Sequence, residues 1–317
     1  MDEMTVLDAF GGTASVAHAL RCRGAAVTYN DYLLAPCQTA LAVVANDDVL
    51  LSATEAKELF QPRAAFQYEN VIASEYAGIF FLDEENAWLD VVAQNIGAID
   101  DPIKRAIAFH CLIQAALAKR PYNLFHRANL SMRTTTVQRS FGNKTTWDTP
   151  FPDLFDRFRR EVNSCVTATP GVPGRVLNGN AVKVPGEYDL VYADPPYVNG
   201  RGGAVDYRDH YGFLEGITDY SSWRARIDLR RKHRPVSGAS SAWSRATTIH
   251  AAFGEAIERW APVPRLVISY RSDGMPSLDE LVRLLRHHGR SIRIERRPHK
   301  YVLSTNASSE ELLLICD

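Results

Sequence analysis

The chain reads as an α/β fold: an open, Rossmann-like sheet, mostly parallel with an antiparallel edge, plus a helical and irregular insertion. Three observations predict it. Near the N-terminus two apolar strand patterns, each followed by a helix pattern, form a βαβα unit. A third apolar run, residues 188–193, stops at Asp194-Pro195-Pro196-Tyr197, where two prolines end any ladder. Further apolar runs at 266–270, 301–304 and 311–315 read as the closing strands, the last two antiparallel.

The first strand covers residues 5–10 and breaks into Gly11-Gly12-Thr13-Ala14-Ser15. A helix over 16–23 follows, with Gly24 as its C′ residue. The second strand, 25–30, ends at Asp31, and Pro36 opens a helix to about residue 45. Residues 53–120 are helical, with Ile107, Cys111, Leu112 and Ala115 at helical spacing. Residues 121–152 have no clean period, 153–162 are helical again, and 170–174 form a Pro/Gly turn. A short strand at 175–177 precedes Asn178-Gly179-Asn180. Residues 200–203 are a flexible connection, and 278–288 an amphipathic helix. The expected domains are therefore 1–50 with 170–317, and an inserted region, 51–169.

With 317 residues, 46% of them hydrophobic, the chain can bury a large core. Its net charge of −1 points to no polyanion by itself, but the distribution does. Residues 102–147 contain no Asp or Glu and carry Arg127, Arg133, Arg139 and Lys144 among their bases. A second basic stretch includes Arg224, Arg226, Arg230, Arg231, Lys232 and Arg234, and a third covers 283–300. Such local basic surfaces suit a face that meets phosphate; solvated helix faces are the plain alternative. The cysteines Cys22, Cys37, Cys111, Cys165 and Cys316 are odd in number, scattered and free of any C-x-x-C, so neither zinc nor a disulfide framework is indicated. No leader pattern or bilayer-length apolar run occurs. A soluble, cytoplasmic protein is expected.

The glycine loop lies between a strand and a helix, with an acidic residue ending the next strand, the context of a nucleoside-binding βαβ unit. Asp31 is placed to accept ribose hydroxyls. The loop lacks the full G-x-G-x-x-G and the chain lacks G-x-x-x-x-G-K-[ST], so a ribose-bearing cofactor without phosphate, S-adenosylmethionine, fits better than NAD or ATP. The Asp194 tetrapeptide is more specific. An exocyclic base amine is a poor nucleophile because its lone pair is delocalised into the ring. Acceptors on its hydrogens, the Asp194 carboxylate and the Pro195 carbonyl, help localise that pair, while Tyr197 stacks on the base. Positioning and electrostatics then carry most of the rate. A base in a duplex must first be flipped out.

Five stretches together resemble the alpha-class DNA adenine-N6 methyltransferases. They are Leu7-Asp8-Ala9-Phe10-Gly11-Gly12-Thr13, Tyr29-Asn30-Asp31, Asp194-Pro195-Pro196-Tyr197, Ile268-Ser269-Tyr270-Arg271-Ser272-Asp273-Gly274 and Glu310-Glu311-Leu312-Leu313-Leu314-Ile315. The resemblance implies a Rossmann-like methyltransferase sheet with an inserted target-recognition region. It implies that Asp8, Phe10, Gly11, Gly12, Thr13, Asp31 and Asn180 hold S-adenosylmethionine, with Asp194, Pro195, Pro196 and Tyr197 catalytic and double-stranded DNA as partner. The implied activity is that of a site-specific modification enzyme, with or without a restriction endonuclease. N4-cytosine methylation is the nearest alternative, and a DNA-binding subunit inactive without a partner the next. The chain departs from the family at Ala14, where a second glycine is common, and at Asn180, where an acid is usual. It also lacks the family's lysine-bearing segment before the glycine loop, so a second polypeptide is expected to close the methionine end of the cofactor.

Pro36-Cys37 imitates the nucleophile of cytosine-C5 methyltransferases, but it follows the second strand; a helix-start proline and a buried thiol are the plainer reading. Residues 120–147 are similar to the recognition segment of one subgroup of the adenine enzymes. There Arg127, Arg133, Arg139 and Lys144 would contact phosphate, whereas Phe125, Phe141 and Trp147 are read mainly as packing. Residues 206–216 are expected to form a loop over the flipped base, with Tyr207 or Tyr211 at its edge.

Overall fold

The computed structural model of the protein describes residues 4–135, 144–167, 172–199, 202, 205–238, 241–298 and 310–317. The chain divides into two compact units, Met1–Ala40 with Pro170–Tyr207 and Ala239–Asp317, and Leu41–Thr169 with Arg208–Gly238. The strands are β1 (Thr5–Asp8), β2 (Ala26–Asp31), β3 (Arg175–Asn178), β4 (Leu190–Ala193), β5 (Val198–Asn199), β6 (Arg265–Arg271), β7 (Gly274–Met275), β8 (Ile292–Pro298) and β9 (Glu310–Cys316). The helices are α1 (Ser15–Arg21), α2 (Leu34–Val43), α3 (Ala53–Leu59), α4 (Val71–Glu75), α5 (Asp83–Gly97), α6 (Pro102–Ala118), α7 (Ser131–Thr134), α8 (Lys144–Asp148), α9 (Phe151–Thr167), α10 (Tyr207–Thr218), α11 (Tyr220–Arg226), α12 (Ile249–Arg259) and α13 (Leu278–His287).

Seven strands form one sheet in the order β3-β2-β1-β4-β6-β9-β8, and β5 pairs with β7. The first five run parallel; β9 lies antiparallel to both β6 and β8. Chain order reverses between β1 and β4, so the two strand ends that carry the expected motifs are neighbours. A crevice at such a switch point is where open α/β sheets bind ligands. The register sets Asp8 opposite Tyr29 on one side and Tyr192 on the other. The central strands bury Leu7, Val191, Ala193, Leu266, Ile268, Leu312 and Leu314 in one cluster with Phe253 and Ile257 of α12 and Leu281 and Leu285 of α13.

The second unit is built on an aromatic core. Phe125 stacks on Phe213 at 5.0 Å, Tyr76 meets Phe213 edge-on at 5.1 Å, and the Trp223 indole donates to the Tyr76 hydroxyl at 3.1 Å. This packing draws Arg208–Gly238 into the helical unit, whereas the expected bounds 170–317 place that stretch with the sheet. It also makes α10 a helix where a loop was expected. Phe213, Leu214 and Ile217 bury one face, and Gly216 is needed because a Cβ there would lie 1.9 Å from the Trp223 ring.

The other departures are local. The second helix starts at Leu34, with Pro36 in its first turn, where no N–H is required. Strand β8 was read only as a basic stretch; Ile292 and Ile294 alternate with Arg293 and Glu295, and charges suit an exposed edge strand. The expected strand at 301–304 and part of the 170–174 turn and the 200–203 connection lie outside the described residues. Among the described residues no helix is long and apolar enough to cross a membrane.

Candidate active site

The glycine loop leaves β1 at Asp8 and turns through Gly12 (φ 49°) and Ala14 (φ 62°), both left-handed. Alanine in that region costs about 1–2 kcal/mol where glycine would not, which gives the Ala14 departure a physical meaning. The Ala14 amide closes the turn on the Gly11 carbonyl at 2.8 Å. Tyr29, fully buried on β2, lies against the loop and donates its hydroxyl proton to the Gly12 carbonyl at 2.8 Å. A Cβ at Gly11 would fall 2.0 Å from the Tyr29 ring. Gly11→Ala is therefore expected to lower stability by about 1–3 kcal/mol, the scale of overpacking; an unchanged thermal midpoint would show that the loop has room to move.

Asp31 fastens this loop to β2. One carboxylate oxygen accepts from the Gly12 amide at 2.9 Å and the other from the Leu33 amide at 2.8 Å. Burial pushes its carboxyl above the usual range, although these amides oppose the rise. Asn30 is buried, and its amide donates to the carbonyls of Ala9 (3.0 Å) and Gly179 (3.2 Å), tying three strand ends together. Asn180 is exposed and its side-chain carbonyl accepts from the Val182 amide at 3.2 Å. Phe10 packs edge-on against Trp243 at 4.8 Å. Thr13 shares a hydrogen bond with Ser15 at 2.9 Å.

Asp8 is the anomaly of the site. It is 1% exposed, and neither carboxylate oxygen has a hydrogen-bond partner among the described residues. Burial, then the charge of Asp194, pushes its carboxyl up to about 7; the Ala17 amide, outside hydrogen-bond geometry, offsets this only in part. Buried carboxylate oxygens without donors are costly, and they suit a ligand that brings donors. Asp194 follows β4 next door. Its carboxyl is reachable by solvent yet crowded by protein, and that crowding, followed by the Glu311 charge, pushes it up to about 6 against the hydrogen bond from Tyr197.

Tyr197 is already engaged. Its hydroxyl lies 2.6 Å from Asp194 Oδ1, 3.0 Å from Ser269 Oγ and 3.0 Å from Glu311 Oε1. Its ring meets Tyr270 edge-on at 6.2 Å. Ser269 on β6 and Glu311 on β9 are functional candidates that only the structure brings out, although both fall within stretches that carry the resemblance. A serine inside the apolar run of β6 and a glutamate at the start of β9 were the available signals. The decoy Cys37 is buried and donates to the Leu33 carbonyl at 3.2 Å, an ordinary helix packing contact.

The expected DNA residues part company. Arg133 is buried and forms a two-pronged ion pair with Glu85, both bonds 2.8 Å, and also donates to the Trp147 carbonyl at 3.2 Å. It is thus held inside the helical unit, and its expected phosphate contact is corrected on that ground. Arg127 is exposed; Lys144 is exposed and pairs with Asp148 at 2.8 Å. Arg139 lies outside the described residues. Five of the six bases of the second basic stretch are ion-paired: Arg224 and Arg234 share Glu75, Arg226 pairs with Asp219, Arg230 with Asp228 and Arg231 with Asp209. His126 stacks on His210 at 4.5 Å, and burial holds its pKa down at about 4.

Comparison with known proteins agrees with the motif order. Residues 2–215 match the family described as D12 class N6 adenine-specific DNA methyltransferase. The chain is 26% identical to the type II methyltransferase M2.HphI of Haemophilus parahaemolyticus over 336 aligned residues, covering all of this chain and 91% of that protein. It is 31% identical to the type II methyltransferase M.FokI of Planomicrobium okeanokoites over 129 residues, 39% of this chain and 18% of that protein.

Proposed function

Because the chain belongs to the D12 class of N6 adenine-specific DNA methyltransferases, we propose that its methylation of adenine N6 in DNA is carried out at the paired ends of β1 and β4. The observation that supports this reading is the adjacency of the glycine loop and Asp8 on one strand with Asp194 on the next. S-adenosylmethionine is the cofactor we assign to the loop. Its ammonium and hydroxyl groups are the donors that the orphaned oxygens of Asp8 lack. Asp31, Phe10, Gly11, Gly12, Thr13 and Asn180 complete the proposed binding set. When bound, this cofactor supplies an electrophilic methyl carbon.

The chain's own residues do the rest. Asp194 and the Pro195 carbonyl accept the two hydrogens of the target amine and restore nucleophilic character to its nitrogen. Pro196 fixes the turn, and Tyr197 borders the base. The adenine is flipped out of double-stranded DNA to reach them. We assign recognition to residues 51–169, with Arg127 and Lys144 as phosphate contacts, and a cytoplasmic role in a restriction–modification system, in line with the type II relatives.

The test is direct. Duplex DNA incubated with the purified protein and labelled cofactor, then digested to nucleosides, should carry label in N6-methyldeoxyadenosine; label in N4-methyldeoxycytidine would overturn the assignment. Repeating cofactor titrations with candidate partner chains tests whether a second polypeptide closes over the methionine end. Asp31→Ala should weaken cofactor binding by about 1.5–3 kcal/mol, the scale for a hydrogen bond to a charged group. Calorimetry showing unchanged affinity would remove Asp31 from the binding set.

A further inference from the structure

Methyl transfer leaves a proton to be removed. The N–C bond forms from the amine's lone pair as the donor's C–S bond gives its electrons to sulfur, so the nitrogen briefly holds one proton too many. On the reading above, Asp194 takes it. The adenine then blocks the way back, and Asp194 must be emptied for the next turnover.

We propose that Tyr197 and Ser269 pass this proton to Glu311, making Glu311 a positioning and proton-exit residue for the reaction. The inference rests on Asp194 facing the target amine. Tyr197 has one hydroxyl proton and two carboxylate acceptors in reach, Asp194 at 2.6 Å and Glu311 at 3.0 Å. When Asp194 carries the transferred proton, it donates that proton to the Tyr197 oxygen while Tyr197 gives its own to Glu311. One O–H bond breaks and one forms at each step, and the phenol stays neutral. Phenolate would be costly here, since burial and the Asp194 charge drive the Tyr197 pKa upward. Ser269, 5% exposed, offers a parallel bridge, 3.0 Å from Tyr197 Oη and 2.8 Å from Glu311 Oε1. Glu311 is half-buried on β9, so the chain of hydroxyls leads from the crevice across β6 to the antiparallel strand, where the carboxyl gives the proton up to solvent water and is ready for the next one. The groups that face Asp194 are Asp8 from β1, Tyr192 of β4, Tyr197, Ser269 from β6 and Glu311 from β9. Cross-strand from Glu311 stand Arg271 and Arg297.

The two variants have opposite signatures. Glu311→Gln removes a negative charge that raises Asp194, so the acid limb of the single-turnover pH–rate profile should move to lower pH, while the multiple-turnover rate at neutral pH should fall by roughly 10-fold to 10²-fold, up to the lower end for a lost acid–base group. Ser269→Ala removes a polar group whose nearness lowers Asp194, so the limb should move to higher pH. Carboxyl-carbon NMR of the protein without DNA or cofactor should show the Asp194 midpoint move the same two ways from about 6. If Glu311→Gln does not fold, Ser269→Ala and the charge-preserving Glu311→Asp, which should retain part of the rate, decide the matter. Wild-type rates and unshifted limbs in folded variants would overturn the proton route. Normal turnover by an Asp194→Ala control would instead overturn the reading beneath it.

Discussion

Asp194→Ala is expected to slow methyl transfer by roughly 10²-fold or more, the scale for one lost polar contact to a transition state, while cofactor binding is largely kept. The carboxylate must be ionised to accept from the amine, and its carboxyl is held up at about 6 by crowding and by Glu311. The wild-type rate should therefore fall as pH drops through that value. The stability sign is opposite. A carboxyl raised on folding binds its proton more tightly in the folded state, so it favours folding at low pH and opposes it as pH rises through the folded value. The variant should thus melt no lower than wild type at pH 8, which separates a chemical loss from a folding loss. Near-normal turnover by the purified variant would refute the role assigned to Asp194.

Glu85→Ala should be the most destabilising of these substitutions. Glu85 accepts from Lys119 and Arg133, both almost fully buried, and caps the Leu82 amide at 3.0 Å. Removing it strands two buried cations, which costs about 3–5 kcal/mol. Burial alone would raise the Glu85 carboxyl, but the hydrogen bonds from Arg133 and Lys119 hold it below the usual range. A carboxyl lowered on folding contributes stability above the unfolded pKa, and that contribution is lost as pH falls through the folded value. Urea denaturation at neutral pH should show the full loss, and the gap from wild type should narrow in acid. An unchanged urea midpoint would mean that the pair is idle. Arg133→Gln separates two roles: a structural arginine lowers stability, whereas a phosphate contact would lower DNA affinity and flatten its salt dependence at constant stability.

The sheet was legible because its signals are local. β1, β2, β4 and β6 are short apolar runs, and the motifs at their ends are defined by residues a few positions apart. β8 was missed because an edge strand alternates charge with apolar residues and resembles a basic tail. Residues 206–216 suggest a loop over the flipped base because they follow the Asp194 motif closely, whereas α10 is a helix in which Gly216 serves close packing on Trp223. Basic residues misled for a related reason. A gap in Asp and Glu along residues 102–147 says nothing about partners elsewhere in the chain, and Arg133 found Glu85, 48 positions away.

The sequence by itself determined the fold class, the order of the motifs and the reaction class, since each rests on short-range pattern and on side-chain chemistry that survives in any context. Tertiary structure alone decided which charges stay available and which groups act together. Ion pairing, desolvation and proton passage depend on distances of a few ångströms between atoms far apart in the chain. Glu311 reaches Tyr197 across 114 positions at 3.0 Å only because β9 turns back beside β6.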